Sequence, residues 1–61
     1  MPEGIRCYAD NVNMPGVWEG MESYYYSDDA INSALGRCES DPAVVDAGTQ
    51  VSCRIRNCIR W

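Results

Sequence analysis

Four cysteines in a chain of 61 residues are the feature that most constrains how this protein folds. A chain this short buries too little apolar surface to be stable through its core alone, so such domains rely on disulfides, a metal or a partner. No two cysteines have the C-x-x-C spacing and the sequence has no histidine, so the usual pairs of zinc ligands are missing. We therefore predict two disulfides, no metal or other cofactor, and a single small domain over residues 1–61. The cysteines are Cys7, Cys38, Cys53 and Cys58.

The clearest local element in the sequence is one amphipathic helix. Ser27 is placed to cap its first turn, and Asp28 and Asp29 follow where acidic groups favour the positive end of the helix dipole. An apolar stripe then recurs at helical spacing. The helix is expected to end between Gly36 and Ser40, ahead of a proline that disfavours helical backbone before it. The stripe residues are Ile31, Ala34, Leu35 and Cys38.

Alternating apolar and polar residues predict strands near both ends of the sequence. Between them, residues 11–16 predict a turn around Pro15 and Gly16, and residues 17–26 predict a third strand that is bent or bulged at Gly20. Residues 43–45 predict a very short strand. We therefore predict an α+β fold with two or three antiparallel strands packed on one α-helix. The apolar positions are Ile5, Cys7 and Ala9 in the first strand and Val51, Cys53 and Ile55 in the last.

Strand alternation also constrains the disulfide pairing. Cys53 and Cys58 are an odd number of residues apart, so along one continuous strand they point to opposite faces and do not bond to each other. Cys38 on the helix stripe and Cys53 on the apolar strand face are expected to meet in the core. The preferred pairing is therefore 38–53 with 7–58, and the pairing 7–53 with 38–58 remains the alternative.

Two disulfides indicate an oxidising compartment, and we expect the protein to be secreted and extracellular. No basic segment followed by an apolar segment precedes Cys7, and no apolar run approaches the roughly 18 residues that span a bilayer. We therefore expect a mature secreted chain, with Met1 added as a start residue and no membrane span.

Charge is unevenly distributed along the sequence. The net charge is −4, and all nine acidic residues lie in residues 1–46, whereas residues 47–61 carry three arginines and no acid. The last strand is therefore a local basic stripe, for which pairing with the protein's own carboxylates is the simplest interpretation. Nucleic-acid binding is not expected, because the protein is acidic overall and no phosphate-binding loop accompanies the stripe. The arginines are Arg54, Arg56 and Arg60.

The second candidate binding feature is a cluster of aromatic residues. Tyrosine and tryptophan carry a polar tip on an apolar ring and are favoured at protein interfaces. Three consecutive tyrosines in one strand cannot all face the core, so at least one of them is expected to be exposed. The predicted protein-binding residues are Trp18, Tyr24, Tyr25, Tyr26, Arg54 and Arg56.

Nothing in the sequence favours catalysis. The chain has no histidine, and so small a core offers little surface to desolvate a carboxylate and adjust its pKa. Residues 10–13 match only the beginning of a calcium-binding loop. We therefore predict that the protein is not an enzyme.

The start of the predicted helix resembles the Tyr-Ser helix start of secreted guanyl-specific fungal ribonucleases, a framework that many small secreted fungal effectors share. The resembling segment is residues 26–34, Tyr-Ser-Asp-Asp-Ala-Ile-Asn-Ser-Ala. The chain departs from that family in placing Tyr8 directly after Cys7 rather than in the Tyr-x-Cys order, and in having no histidine. The resemblance therefore implies a secreted relative without catalytic activity, and no catalytic residue is carried over.

These observations together predict a secreted, cysteine-rich interaction protein. We expect an effector, or a virulence or defence factor, that binds a host or competitor protein. Two alternatives remain open. One is a secreted hydrolase inhibitor that presents residues 11–18 to a protease, and the other is an antimicrobial or toxin protein acting on membranes. The acidic composition and the lack of a basic amphipathic helix disfavour the second.

Overall fold

The computed structural model describes residues 4–23 and 26–61, which form a three-stranded antiparallel sheet with helices on one side. The sheet order is β2-β1-β3, so β1 is the central strand. The predicted α+β class and the disulfide-stapled small domain are confirmed. The elements are β1 (Ile5–Asn11), β2 (Met14–Glu19), α1 (Ser27–Ser40), α2 (Pro42–Ala47), a short 3-10 helix (Gln50–Ser52) and β3 (Cys53–Arg60).

Helix α1 packs on the sheet through small side chains. Ala30, Ala34 and Cys38 recur every four residues and are fully buried. Ile31 and Leu35 belong to the predicted stripe but are only partly buried beside this line. The buried face is therefore rotated slightly from the predicted one, and its small residues allow the helix backbone to lie close to the sheet.

Gly20 occupies the place of closest approach between the β2 end of the sheet and α1. A Cβ atom at this position would lie 2.7 Å from the backbone nitrogen of Ala34 and 3.0 Å from the carbonyl oxygen of Ala30. Strand β2 ends at Glu19, so the predicted strand through residues 17–26 is too long, and residues 24–25 lie outside the described part of the chain. Pairing with β1 nonetheless continues irregularly, because the N–H of Gly20 donates to the carbonyl oxygen of Cys7 and Ser23 forms a bridge with Ile5. Two residues, 21 and 22, therefore lie opposite Arg6 alone, which is the irregularity of a bulge. The chain therefore passes close to α1 while it continues to pair with β1, and a Cβ atom at position 20 would clash with the helix backbone.

The start of α1 differs slightly from the prediction. Tyr26 occupies the N-cap position with extended backbone and makes no side-chain cap hydrogen bond, and Ser27 is the first helical residue. The prediction that Ser27 caps the helix is therefore wrong by one position. The two acidic residues of the first turn remain where they favour the helix dipole.

The predicted short strand at residues 43–45 is wrong, because this segment lies in helix α2. Asp41 ends α1 and caps α2, where its side chain accepts a hydrogen bond from the backbone N–H of Ala43 over 2.8 Å. Pro42 opens the helix, where no backbone donor is needed. Gly48 closes it in the left-handed region, with φ 68°. This cap, proline and glycine order is a helix signal that outweighs the strand preference of two valines.

Both disulfides have the preferred pairing, although one step of the reasoning behind it is wrong. Cys7 bonds Cys58 across β1 and β3, and Cys38 of α1 bonds Cys53. Tyr8 pairs with Asn57, and Ala9 pairs with Ile55. Arg56 is therefore the extra residue of a β-bulge. The bulge shifts the alternation by one, and both cysteines of β3 consequently lie on the face that packs against α1.

A polar cluster ties the β1–β2 turn to the segment before β3. Asn11 is buried, and its amide nitrogen donates to the carbonyl oxygen of Thr49 over 2.9 Å. Its amide oxygen accepts from the backbone N–H of Asn13 over 2.9 Å. The side chain of Asn13 in turn donates to the hydroxyls of Thr49 and Ser52. The turn therefore lies at residues 12–13, and the predicted turn residues Pro15 and Gly16 lie within β2.

Candidate protein-binding surface

Trp18, the first of the predicted contact residues, contributes mainly to the packing of the domain. It lies opposite Ala9 in the β1–β2 ladder, on the face that α1 covers, and packs against the core. Its indole N–H donates to Asp41 Oδ2 over 3.0 Å. This hydrogen bond holds the pKa of the Asp41 carboxyl below its ordinary value, with the backbone N–H of Ala43 as the second cause. Only part of the indole is left for a partner.

The tyrosine cluster is represented in the described residues by Tyr26 alone. Its side chain is 67% exposed, and its backbone N–H donates to the hydroxyl of Ser23 over 3.3 Å. Tyr24 and Tyr25, which are also predicted contacts, lie outside the described residues. Tyr26 precedes α1 and does not share a strand with the predicted arginines.

Two arginines pair with the protein's own carboxylates, Arg6 of β1 and Arg54 of the stripe, so the simplest interpretation of the stripe holds for one of its three arginines. Arg54 donates through Nε to Asp10 Oδ1 over 2.8 Å, on the sheet face away from α1. On the same face Arg6 lies 2.6 Å from Glu19 and 3.9 Å from Glu22. We call this surface the open face. Ion pairs on this face connect β1 to β2, to Glu22 and to β3.

Arg56 and Arg60 are different, because both are exposed and neither has an ion pair or hydrogen-bonding side-chain partner among the described residues. Beyond the bulge the alternation is inverted. Arg60 therefore lies opposite Ile5, on the face of α1, whereas Ile59 lies opposite Arg6 on the open face. The predicted single outward arginine face is consequently divided between the two faces of β3.

Two large apolar side chains are exposed next to these arginines. Ile59 is 45% exposed and Trp61 is 52% exposed. The backbone groups of Trp61 and Gly4 exchange hydrogen bonds over 3.0 and 3.1 Å, and the indole ring covers Gly4, whose added Cβ would lie 2.8 Å from the ring. The ring is therefore held in one place while half of it faces solvent. We call Arg56, Ile59, Arg60 and Trp61 the β3 surface.

The strand that carries the β3 surface is held by two disulfides, one at its first residue and one two residues before its last. Cys53 at its start is bonded to α1, and Cys58 is bonded to the central strand. A binding surface on this strand loses little conformational entropy on complex formation, because its backbone is already ordered.

The structure does not bring the predicted contact residues together into one site. Trp18 is on the edge strand β2, whereas Arg54 and Arg56 are on the opposite edge strand β3, with β1 between them. Sequence reasoning did not assign binding to Ile59 or Trp61. Strand alternation gave no signal for Ile59, because the bulge at Arg56 that puts it on the open face is seen only in the pairing of β1 with β3.

The described residues offer little for chemistry. Within residues 4–23 and 26–61 no three histidine, cysteine, aspartate or glutamate side chains are grouped to hold a metal ion. No helix in the described part is long and apolar enough to cross a membrane. Residues 11–18, the segment expected to face a protease in an inhibitor, form most of the β1–β2 hairpin.

No protein-family model, curated protein or solved structure matches this chain. The site must therefore be interpreted from its own geometry.

Proposed function

We propose that this protein is a secreted interaction protein without catalytic activity, and that it binds a protein partner through the β3 surface. The observation that carries the proposal is a pair of arginines, Arg56 and Arg60, that have no side-chain partner within residues 4–23 and 26–61 and lie beside the half-exposed Ile59 and Trp61. Arginine and tryptophan are enriched among the residues that dominate binding energy at protein interfaces. Among the described residues the other two arginines of the sheet, Arg6 and Arg54, pair internally, so Arg56 and Arg60 are the sheet arginines available to a partner.

The two disulfides support secretion, because such bonds persist in oxidising compartments and stabilise domains too small to rely on a core. A rigid extracellular domain with basic and aromatic side chains on the two faces of one edge strand suits an effector, or a virulence or defence factor, that binds a host or competitor protein. The ribonuclease-like segment at residues 26–34 fits the same proposal as a secreted relative without catalytic residues.

The proposed function is tested by cross-linking from two positions of equal exposure. A photoreactive residue replaces Ile59 on the β3 surface in one variant and Val45 on α2 in the other, since these side chains are 45% and 47% exposed. The variants are incubated with surface and extracellular proteins of the producing organism and of cells grown in contact with it. We expect a discrete protein adduct from position 59 and none from position 45.

A charge-reversal pair completes this test. Arg60→Glu on the β3 surface is expected to abolish the adduct, whereas Arg37→Glu makes the same charge change on the exposed side of α1 and is expected to leave it intact. Equal labelling from positions 59 and 45, or an adduct that survives Arg60→Glu, contradicts the proposal.

Secretion is tested separately by locating the natural protein. We expect the fully oxidised chain in the fluid outside the producing cells. Recovery only inside the cells, with four free thiols, contradicts this part of the proposal.

A further inference from the structure

Strand β3 is an edge strand whose outer side is open. It pairs with β1 on one side only, and α1 packs on the face of the sheet rather than beyond this edge. Among the described residues, the backbone hydrogen bonds of residues 57–61 go to β1 and Gly4 alone. An open strand edge is a template for pairing with another extended chain.

The register between β1 and β3 shows which residues of β3 direct their backbone N–H and carbonyl groups toward the open edge. Gly4 and Trp61 exchange both of their backbone hydrogen bonds. In an antiparallel ladder, hydrogen-bonded residue pairs alternate with pairs that exchange no backbone hydrogen bonds. The next pair, Ile5 and Arg60, is therefore of the second kind. By the same alternation, Cys7 and Cys58 exchange no backbone hydrogen bonds, although a disulfide joins their side chains.

The partners of Ile5 and Cys7 confirm this alternation. The backbone of Ile5 exchanges hydrogen bonds of 2.9 and 3.0 Å with Ser23, and the carbonyl oxygen of Cys7 accepts from Gly20 over 3.0 Å. Both residues therefore direct their backbone groups toward the β2 side of the sheet. The residues opposite them, at positions 58 and 60, must direct theirs away from β1 to the open edge.

We propose that an extended acidic protein segment binds this open edge as a fourth strand. The inference rests on the proposed function and specifies how the β3 surface takes its partner. Two N–H groups and two carbonyl groups, those of Cys58 and Arg60, provide the ladder. The disulfide to Cys7 holds these groups in position before the partner arrives.

Side-chain alternation defines the chemistry of the segment. Arg60 lies on the α1 face of β3, while Ile59 and Trp61 lie on the open face. Side chains opposite one another across a ladder contact each other, so the partner presents carboxylates toward Arg60 and apolar groups toward Ile59. Carboxylates pair with the guanidinium group through two parallel hydrogen bonds. The matching sequence alternates acidic and apolar residues.

Charge and backbone chemistry disfavour two other occupants. A second copy would bring two strands together that carry three arginines each and no carboxylate. A nucleic acid would meet the arginines, but its phosphodiester chain has no donors for the carbonyl groups of the strand edge. A peptide supplies donors and acceptors at the strand spacing.

The test uses the full oxidised chain, labelled with nitrogen-15, and a synthetic peptide of alternating glutamate and valine about as long as β3. Binding is measured at low ionic strength by amide chemical shifts and hydrogen exchange. We expect slower exchange of the Cys58 and Arg60 amides, with little change at Ile59, whose amide already faces β1. Arg60→Glu is expected to weaken binding at least about tenfold, because a charge-assisted pair is lost. Arg37→Glu is the matched control and is expected to bind normally.

A second peptide isolates the backbone contribution. It has the same side chains, but N-methyl groups block alternate amides, so it retains charge and apolar contacts while losing ladder donors. Its failure to bind supports strand addition. Equal binding of the two peptides overturns strand addition. If Arg60→Glu also weakens the binding of both peptides, the β3 surface still binds through its side chains and only the strand-addition inference falls.

Three further outcomes overturn the inference. They are no binding of the glutamate–valine peptide, tighter binding of a single-stranded oligonucleotide at the same residues, and self-association through β3 seen by sedimentation. Each is distinguishable from failure of the proposed function, because the adduct from position 59 is measured independently. If that adduct forms and needs Arg60 while the peptide fails, only the strand-addition inference falls.

Discussion

The indole N–H of Trp18 donates to Asp41 Oδ2 over 3.0 Å, and this hydrogen bond joins β2 to the junction between the two helices. The other carboxylate oxygen caps α2 through Ala43. These contacts lower the pKa of Asp41 below its ordinary 3.8, the indole being the larger cause. Because the pKa is depressed in the folded state, ionised Asp41 contributes stability above pH 3.8, and the contribution is lost as pH falls through the folded value.

Asp41→Asn is therefore expected to destabilise the protein most near neutral pH. The difference in unfolding free energy from the parent chain should shrink as the pH falls below 3.8, where the parent carboxylate also becomes neutral. Trp18→Phe should show the same trend, because it removes the indole donor and keeps an aromatic ring. Urea unfolding over a pH series measures both, with Asp46→Asn on the exposed side of α2 as control. A stability difference that stays constant with pH contradicts the assignment.

Gly20→Ala is expected to destabilise the fold by about 1–3 kcal/mol, the usual range for overpacking. The added methyl group would meet backbone atoms of Ala30 and Ala34, which cannot move aside as a flexible side chain can. The control is Gly36→Ala, where nothing lies within 4 Å. That change should stabilise α1 by up to about 1 kcal/mol, because alanine favours helix over glycine. Thermal unfolding of the two variants should shift in opposite directions, and shifts of the same sign would contradict this packing.

Sequence patterns predicted the parts of the fold that depend on local periodicity. Alternation located β1 and the first half of β3, although Val51, the first apolar position predicted for that strand, lies in the 3-10 helix and is 95% exposed. The stripe that includes Cys38 located α1. What they missed depends on neighbours in space. The bulge at Arg56 adds one residue to β3 without a local sequence signal. The prediction therefore placed Cys58 and the residues after it on the wrong face of the sheet. The pairing prediction survived because Cys38 and Cys53 were correctly placed in the core.

The candidate site was less predictable for the same reason. Exposed aromatic residues were expected from composition, but Trp18 gains a hydrogen-bond partner in Asp41 that lies 23 residues away. Arg54 similarly finds Asp10 across the ladder. Only the three-dimensional pairing distinguishes an arginine that already has an ion pair from one, such as Arg60, that has none among the described residues.

Asn11→Leu is expected to be strongly destabilising although the side chains have similar size. The change leaves the carbonyl group of Thr49 and the backbone N–H of Asn13 without these partners. Thr49 is buried, so its unsatisfied carbonyl group costs about 1–3 kcal/mol, whereas the N–H group of the exposed Asn13 is free to bond water at a smaller cost. Asn32→Ala on the exposed side of α1 is the control and should be neutral or mildly stabilising. Urea unfolding measures both, and a neutral effect of Asn11→Leu would contradict the role of this polar cluster.

Removing the Cys7–Cys58 disulfide is expected to affect both stability and binding. Its two cysteines are 51 positions apart, against 15 for Cys38–Cys53. The loop-entropy model gives about 4 and about 3 kcal/mol for the two bonds. A domain of this size has a total stability of only about 3–9 kcal/mol. We therefore expect full reduction to unfold the protein.

The paired variant Cys7→Ser/Cys58→Ser separates the two effects. The chain should remain folded at low temperature through the bond between Cys38 and Cys53, while amide exchange at Arg60 accelerates because β3 is no longer clamped to β1. The position-59 cross-link should then weaken in parallel. Circular dichroism, exchange rates and adduct yield measure the three effects. Unchanged exchange and adduct yield in this variant would show that the disulfide does not preorganise the β3 surface.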